Sequence, residues 1–228
     1  GNIDFDGVVG ATRLGDVFVN SVATMTADQA FNAASFQQAI GSVATTFTGA
    51  LDVTNGVTIT DGTDVTFAST VNAATVSQVA GSGTTTFGGA VTTSGAAGVN
   101  VTNDAIALNA SIVATTGTVD LTADTNAVTI AAAGDITADG IVNLTGATGI
   151  NTAGDVTTSG FGVNYNSATV LTGDVLVDTG AGAGTITFAN TLDDDGVGGN
   201  NLTLTAGTGN IDFDGVVGAT RLGDVLVN

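Results

Sequence analysis

The twenty residues GNIDFDGVVGATRLGDVFVN at 1–20 return at 209–228 as GNIDFDGVVGATRLGDVLVN, and the only difference is Phe18 against Leu226. Self-similarity at a fixed offset, here 208 residues, is the mark of a fold built by repeating one structural unit along an axis. A shorter period lies inside the long one. Residues 31–51 align with 71–91 at an offset of 40, and Asn32, Gln38, Gly41, Thr45, Phe47 and Gly49 are among the positions that recur identically. Phe47, Phe67 and Phe87 are thus evenly spaced, and Leu108 follows at nearly the same interval.

Each of these residues opens the same pattern: a bulky apolar side chain, three small or polar residues, then another apolar one. The pairs are Phe5/Val9, Phe47/Leu51, Phe67/Val71, Phe87/Val91, Leu108/Ile112, Phe188/Leu192 and Phe213/Val217. The flanking residues alternate, as in Val-Thr-Ile, Ile-Thr-Phe and Leu-Thr-Leu, which places every second side chain on one face of a strand. The three-residue break reads as a corner. Short strands, tight corners and a period of about 20 residues describe one coil of a parallel β-helix, whose coils must stack because none can bury its apolar face alone. Phe47, Phe67, Phe87 and their counterparts are expected to form one interior column. The fold expected is therefore all-β, a β-solenoid with about 20–25 residues per coil, in which one 208-residue period makes roughly ten coils and a rod about 50 Å long. Residues 1–208 form one such period, and 209–228 begin the next, so the sequence reads as an internal piece of something longer.

Composition agrees with an all-β chain. Hydrophobic residues make up 43% of it, enough for a core, and Val, Thr and Ile favour strands while Gly, Asn and Asp serve turns. Lys and Glu, common on exposed helix faces, are absent, as are His, Cys, Trp and Pro. One stretch, TADQAFNAASFQQAI at 26–40, would pass for a short helix on its own, with Thr26 and Gln29 at capping-box spacing. Its counterpart TFASTVNAATVSQVA at 66–80 is β-branched, and two copies of one unit should share one structure, so strand is expected at both.

The strings NLTLTAGTGNIDFDGVVGATRLGDVLVN at 201–228, TTTFGGAVTTSG at 84–95 and ATGINTAGDVTTSG at 147–160 resemble the giant β-strand-repeat surface proteins of bacteria. In texture they are similar to the passenger regions of filamentous-haemagglutinin-like adhesins. The resemblance covers essentially the whole chain. It implies a right-handed parallel β-helix, an extracellular or cell-surface location, and service as a stalk, adhesin or filament. It supplies a scaffold and no site residues.

The chemistry that remains is limited. With neither His nor Cys, nucleophile–histidine catalysis and His or Cys metal sites cannot be built. All 21 acidic residues are Asp against two Arg, a net charge of −19, so phosphate-bearing partners such as nucleic acid are disfavoured. No apolar run is long enough to insert into a membrane. The cluster Asp193, Asp194 and Asp195, followed by Gly196 and by Asn200 and Asn201, has ligands suited to calcium but matches no known loop spacing. Its carboxylates also lack the separated, cleft-borne arrangement of a glycosidase pair, so an enzyme is not expected. Diffuse association of divalent cations with the acidic surface is the alternative to a specific calcium site. Asp4, Asp6, Asp212 and Asp214 should project outward, and Arg13 and Arg221 should be solvated or pair with a neighbouring Asp. Thr-x-Thr pairs such as Thr58/Thr60 and Thr84/Thr86 do not recur in every coil, as an ice-binding face would require.

No cofactor is expected beyond possible calcium. The expected role is a structural segment of an extracellular fibre stacking on adjacent copies of itself; a passenger region that binds a surface, a glycan or another extracellular polysaccharide is the alternative.

Overall fold

The computed structural model describes residues 1–228 and contains 26 strands and no helix. Every strand pairing is parallel, and the chain winds through about eleven turns of a solenoid with three faces. The first face stacks Asn2–Phe5, then 24–27, 44–47 and 64–67, then Thr84–Phe87, Ala105–Leu108, Ala127–Ile130, Gly149–Thr152, Thr169–Leu171 and Leu192–Asp194. The second carries 9–14 and 31–33, then short strands from Leu51–Val53 to Val225–Val227. The third runs from 16–22 through 36–41, 56–61 and Thr75–Ala80 to Ile211–Phe213. Near the N-terminus the corners are so gentle that Val9–Ala27 and Phe31–Phe47 each remain one strand across them. The stretch that resembled a helix, 26–40, is thus strand on either side of a corner at 28–30.

Alternation sets the core. Most short strands bury their first and third residues and turn the second outward, as Leu51–Val53, Ile136–Ala138 and Val163–Tyr165 do. Each coil therefore delivers two inward side chains per face, and parallel in-register pairing places each above its counterpart. The interval between register partners varies from coil to coil, from the short step of Thr152 to Leu171 to the longer one of Ile186 to Ile211. One step exceeds the expected coil length: Val175 pairs with Leu202, because the loop 195–201 is inserted between them.

The Phe47–Phe67–Phe87 column exists as expected. Their rings stack with centroids 5.8 and 5.6 Å apart, and Leu108 continues the line. Phe188 and Phe213, however, are not members. They lie on the third face with Tyr165, in a second stack with spacings of 4.7 and 5.4 Å. The apolar–three–apolar pattern marks any corner of the triangle, not one corner. At Phe47 it turns the chain from the first face to the second; at Phe188 it turns it from the third to the first. Gly89 shows why such corners favour small residues: a Cβ there would come within 2.2 Å of the Ser69 backbone in the coil before.

The 40-residue period also acquires a cause. Gln38 and Gln78 point inward on the third face with Ile59 between them, and each accepts a hydrogen bond from a buried threonine further along the chain, Thr45 and Thr85. Asn103 extends the second pair by donating to the Thr85 hydroxyl and the Thr63 carbonyl. These recurring polar residues close one corner from within.

Replacing Phe67 by Ala should cost about 3–5 kcal/mol, since neighbours stacked on both sides hold the cavity open. Chemical denaturation followed by circular dichroism measures it. Tyr165→Phe should act in the opposite sense. The ring is fully buried and its hydroxyl has no partner, so removing that oxygen should stabilise the chain by about 1 kcal/mol while the Phe188 stack persists.

Candidate functional site

Three features could bear function: the acidic corners, the loop at Asp193–Asp195, and the two open ends of the solenoid. At the corners the carboxylates are structural. A residue at a corner or at the start of a strand has no ladder acceptor in the coil before it, and its backbone N–H needs another. Asp64 accepts from Thr84 N at 2.9 Å, Asp135 from Asp155 N at 2.9 Å, Asp155 from Leu176 N at 2.8 Å, and Asp174 from Asn201 N at 2.8 Å. Each bond ties one coil to the next. The signal was present in the sequence as Asp135, Asp155 and Asp174 at near-coil spacing, which sequence reasoning had not singled out. Asp4, Asp6, Asp212 and Asp214 do project outward. Asp4 and Asp6 come together with Asp28, with a carboxylate oxygen of each within 4.8 Å of the others, and all three are exposed.

The Asp193–Asp195 cluster follows strand alternation. Asp193 faces outward and accepts from Thr220 N at 2.9 Å. Asp194 points inward, directly beneath Leu171 in the Phe47 column, and is only 4% exposed. Its Oδ2 accepts from Gly196 N at 3.0 Å, and its Oδ1 accepts from Asn200 N at 3.0 Å and Asn200 Nδ2 at 2.6 Å. Asp195 turns back on its own loop, accepting from Val197 N at 2.8 Å. The donors around Asp194 and Asp195 are the loop's own, with Asn200 Nδ2 at 2.6 Å from Asp194 Oδ1 and 3.4 Å from Asp195 Oδ1, whereas the donor to Asp193 comes from outside the loop. Hydrogen bonds from the Asn200 backbone, then from Gly196 and the Asn200 amide, outweigh the effect of burial and hold the Asp194 carboxyl below its ordinary value of 3.8. The loop frames an open recess of about 420 Å³ with Thr220, Arg221 and Gly223 on its other side.

Arg13 is not free in solvent. Its Nη2 reaches Asp52 Oδ2 at 2.7 Å, and its Nη1 is 2.9 Å from Ala33 O and 2.7 Å from Asp52 O, so one side chain clasps two coils. Both partners are substantially exposed, which limits the ion pair itself to under about 1 kcal/mol. Tyr165, the one tyrosine a glycan could have stacked upon, lies inside the core; burial, with Asp155 adding, raises its phenol far above the ordinary range. No helix is long and apolar enough to cross a membrane.

At the ends the geometry is of another kind. Asn2–Phe5 and residues 9–19 pair only with the coil that follows, and Ile211–Phe213, Val217 and Val225–Val227 pair only with the coil before. On all three faces one side of each end coil is left without a strand. Apolar side chains accompany these edges: Phe213, Val217, Val225 and Val227 are exposed at one end, and Ile3, Phe5, Val9 and Val17 are half-buried at the other.

The chain matches no protein-family model, no curated protein and no solved structure.

Two substitutions test these assignments. Asp155→Ala should destabilise the chain by about 1–2 kcal/mol by orphaning Leu176 N, whereas Asp155→Asn keeps an acceptor oxygen and should cost less. For Asp194 the carboxylate form is the one the fold favours, so its contribution is complete above pH 3.8 and is lost as pH falls through its lower folded value. The Gly196 and Asn200 amide shifts should titrate together with a midpoint below 3.8, and in Asp194→Asn that transition should vanish.

Proposed function

We propose that this chain is a structural repeat segment of an extracellular or cell-surface fibre or stalk, in which successive segments join end to end. The observation that carries the reading is the repeated segment, which pairs in parallel on the coil before it and carries the winding onward. An exposed parallel edge with apolar side chains beside it is a template for another strand, and soluble solenoids ordinarily cover it. Here the recurring segment shows what could cover it. Residues 209–228 repeat 1–20 and sit on the coil before them as an ordinary coil, with every backbone pairing parallel.

The rest of the molecule suits a passive, durable rod. The core runs unbroken along the axis as one cluster of 48 buried residues, so stiffness does not depend on a hinge. The acidic groups at the corners tie coil to coil, and those between them add a negative surface that keeps rods from adhering sideways. An extracellular or cell-surface location follows from the likeness of the repeat texture to bacterial surface proteins.

A chain carrying several 208-residue periods should appear in electron micrographs as thin, unbranched rods lengthening by about 50 Å per period. Compact globular particles, or beads on a flexible string, would refute the reading.

A further inference from the structure

The two copies of the repeated segment occupy different faces. In the first copy Phe5 lies on the first face, Val9 on the second and Val17 on the third, beside Ala27, Phe31 and Phe36. In the second copy the equivalent residues have each moved back one face: Phe213 lies on the third beside Phe188, Val217 on the first beside Leu192, and Val225 on the second beside Leu202. Followed strand by strand, 208 residues make nine complete turns and two-thirds of another. The shift is the same at all three positions.

Resting on the end-to-end reading above, we infer that successive periods join through this segment with a rotation of one third of a turn. The joining surface is the open end of one period, and its occupant is the next copy of the same chain. The segment's contacts are known from both sides. The second copy shows what it sits upon, and the first shows what sits upon it. Combined, they align Phe188, then Phe213 in the role of Phe5, then Ala27 of the next period. Leu192 continues through Val217, in the role of Val9, to Phe31, and Leu202 continues through Val225, in the role of Val17, to Phe36. Inward residues meet inward residues on every face, and the only irregularity is the register shift between Val9 and Leu14 that the first copy already contains, so the joint preserves the core. The two aromatic stacks, separate within one period, become one file across the joint: Tyr165, Phe188 and Phe213 lead through Ala27 to Phe47, Phe67 and Phe87 of the next copy.

The rotation has a consequence for the surface. Each outward feature, such as the Thr26, Thr46, Thr66 and Thr86 file on the first face, is turned by a third of a turn from one period to the next and regains its bearing only after three periods, or twenty-nine turns. A fibre built this way has no distinct side. It offers the same chemistry in three directions, as a rod must if neighbours or ligands approach from all around.

Because the chain has no cysteine, introduced thiols report without background. Outward Thr187 and Asp212 are register partners on the third face, so Thr187→Cys with Asp212→Cys should oxidise readily to a disulfide, adjacent strands lying within bridging distance. Asp193→Cys with Asp212→Cys, which would be neighbours if the period were a whole number of turns, should not. Bridging of the second pair, or of neither, overturns the inference. In a four-period chain with Thr66→Cys in each period carrying a gold label, cryo-electron microscopy should show successive labels turned by a third of a turn, the fourth aligned with the first. Intact rods with all labels in line would overturn the rotation and leave the fibre standing. Absence of rods would remove the fibre and the joint together.

Discussion

The parallel backbone ladder between coils governs the rest of this structure. Once a strand has paired in register with the coil before it, its in-and-out alternation is fixed, and a slip of one residue would send every core side chain to the surface. The interior is accordingly a set of straight files and not a jigsaw. Phe stacks on Phe, Val on Val, and glutamine recurs on alternate coils. Constraints on sequence therefore fall column by column. The chain between columns is free to vary in length, as the short step from Thr152 to Leu171 and the long one from Val175 to Leu202 demonstrate.

Corners are where this freedom is spent, and where the polar residues concentrate. Backbone groups that leave the ladder need other acceptors, and aspartate supplies them across the gap between coils. A composition that reads as a highly acidic surface is therefore also a set of links along the axis. Asp194 is the extreme case. It occupies a place in an interior file where an apolar residue would stand, and the inserted loop wraps its carboxylate with N–H donors. The insertion and the buried charge explain one another: without the loop the charge would be unpaired, and without the charge the loop would have no anchor.

Any coil of a solenoid presents its core in cross-section to the next, and what covers it must be more of the same kind of structure or something that imitates it. Three equivalent faces make this closure permissive. A strand–corner–strand unit with the correct alternation can be laid on whichever face the winding has reached, and the repeated segment is seen starting from two different faces, with Phe5 and Phe213, Val9 and Val217, and Val17 and Val225 each in register with an inward residue.

Residue order alone was enough to fix the class of structure, because period and alternation are backbone properties written directly in it. The spacing of Phe47, Phe67 and Phe87 set the coil length, and the likeness of 26–40 to 66–80 identified strand where local propensity leaned toward helix. What the sequence could not reveal was rotational phase. The pattern around Phe47 and that around Phe188 look alike because all three corners pose the same steric problem, and only the pairing of each strand shows which corner it turns. The same limit hid the roles of Asp155 and Asp194. An aspartate that bonds a backbone N–H one coil away, or that replaces a core residue above a loop, is indistinguishable in sequence from one that faces water. The tertiary fold decided these points, since it alone brings coil against coil.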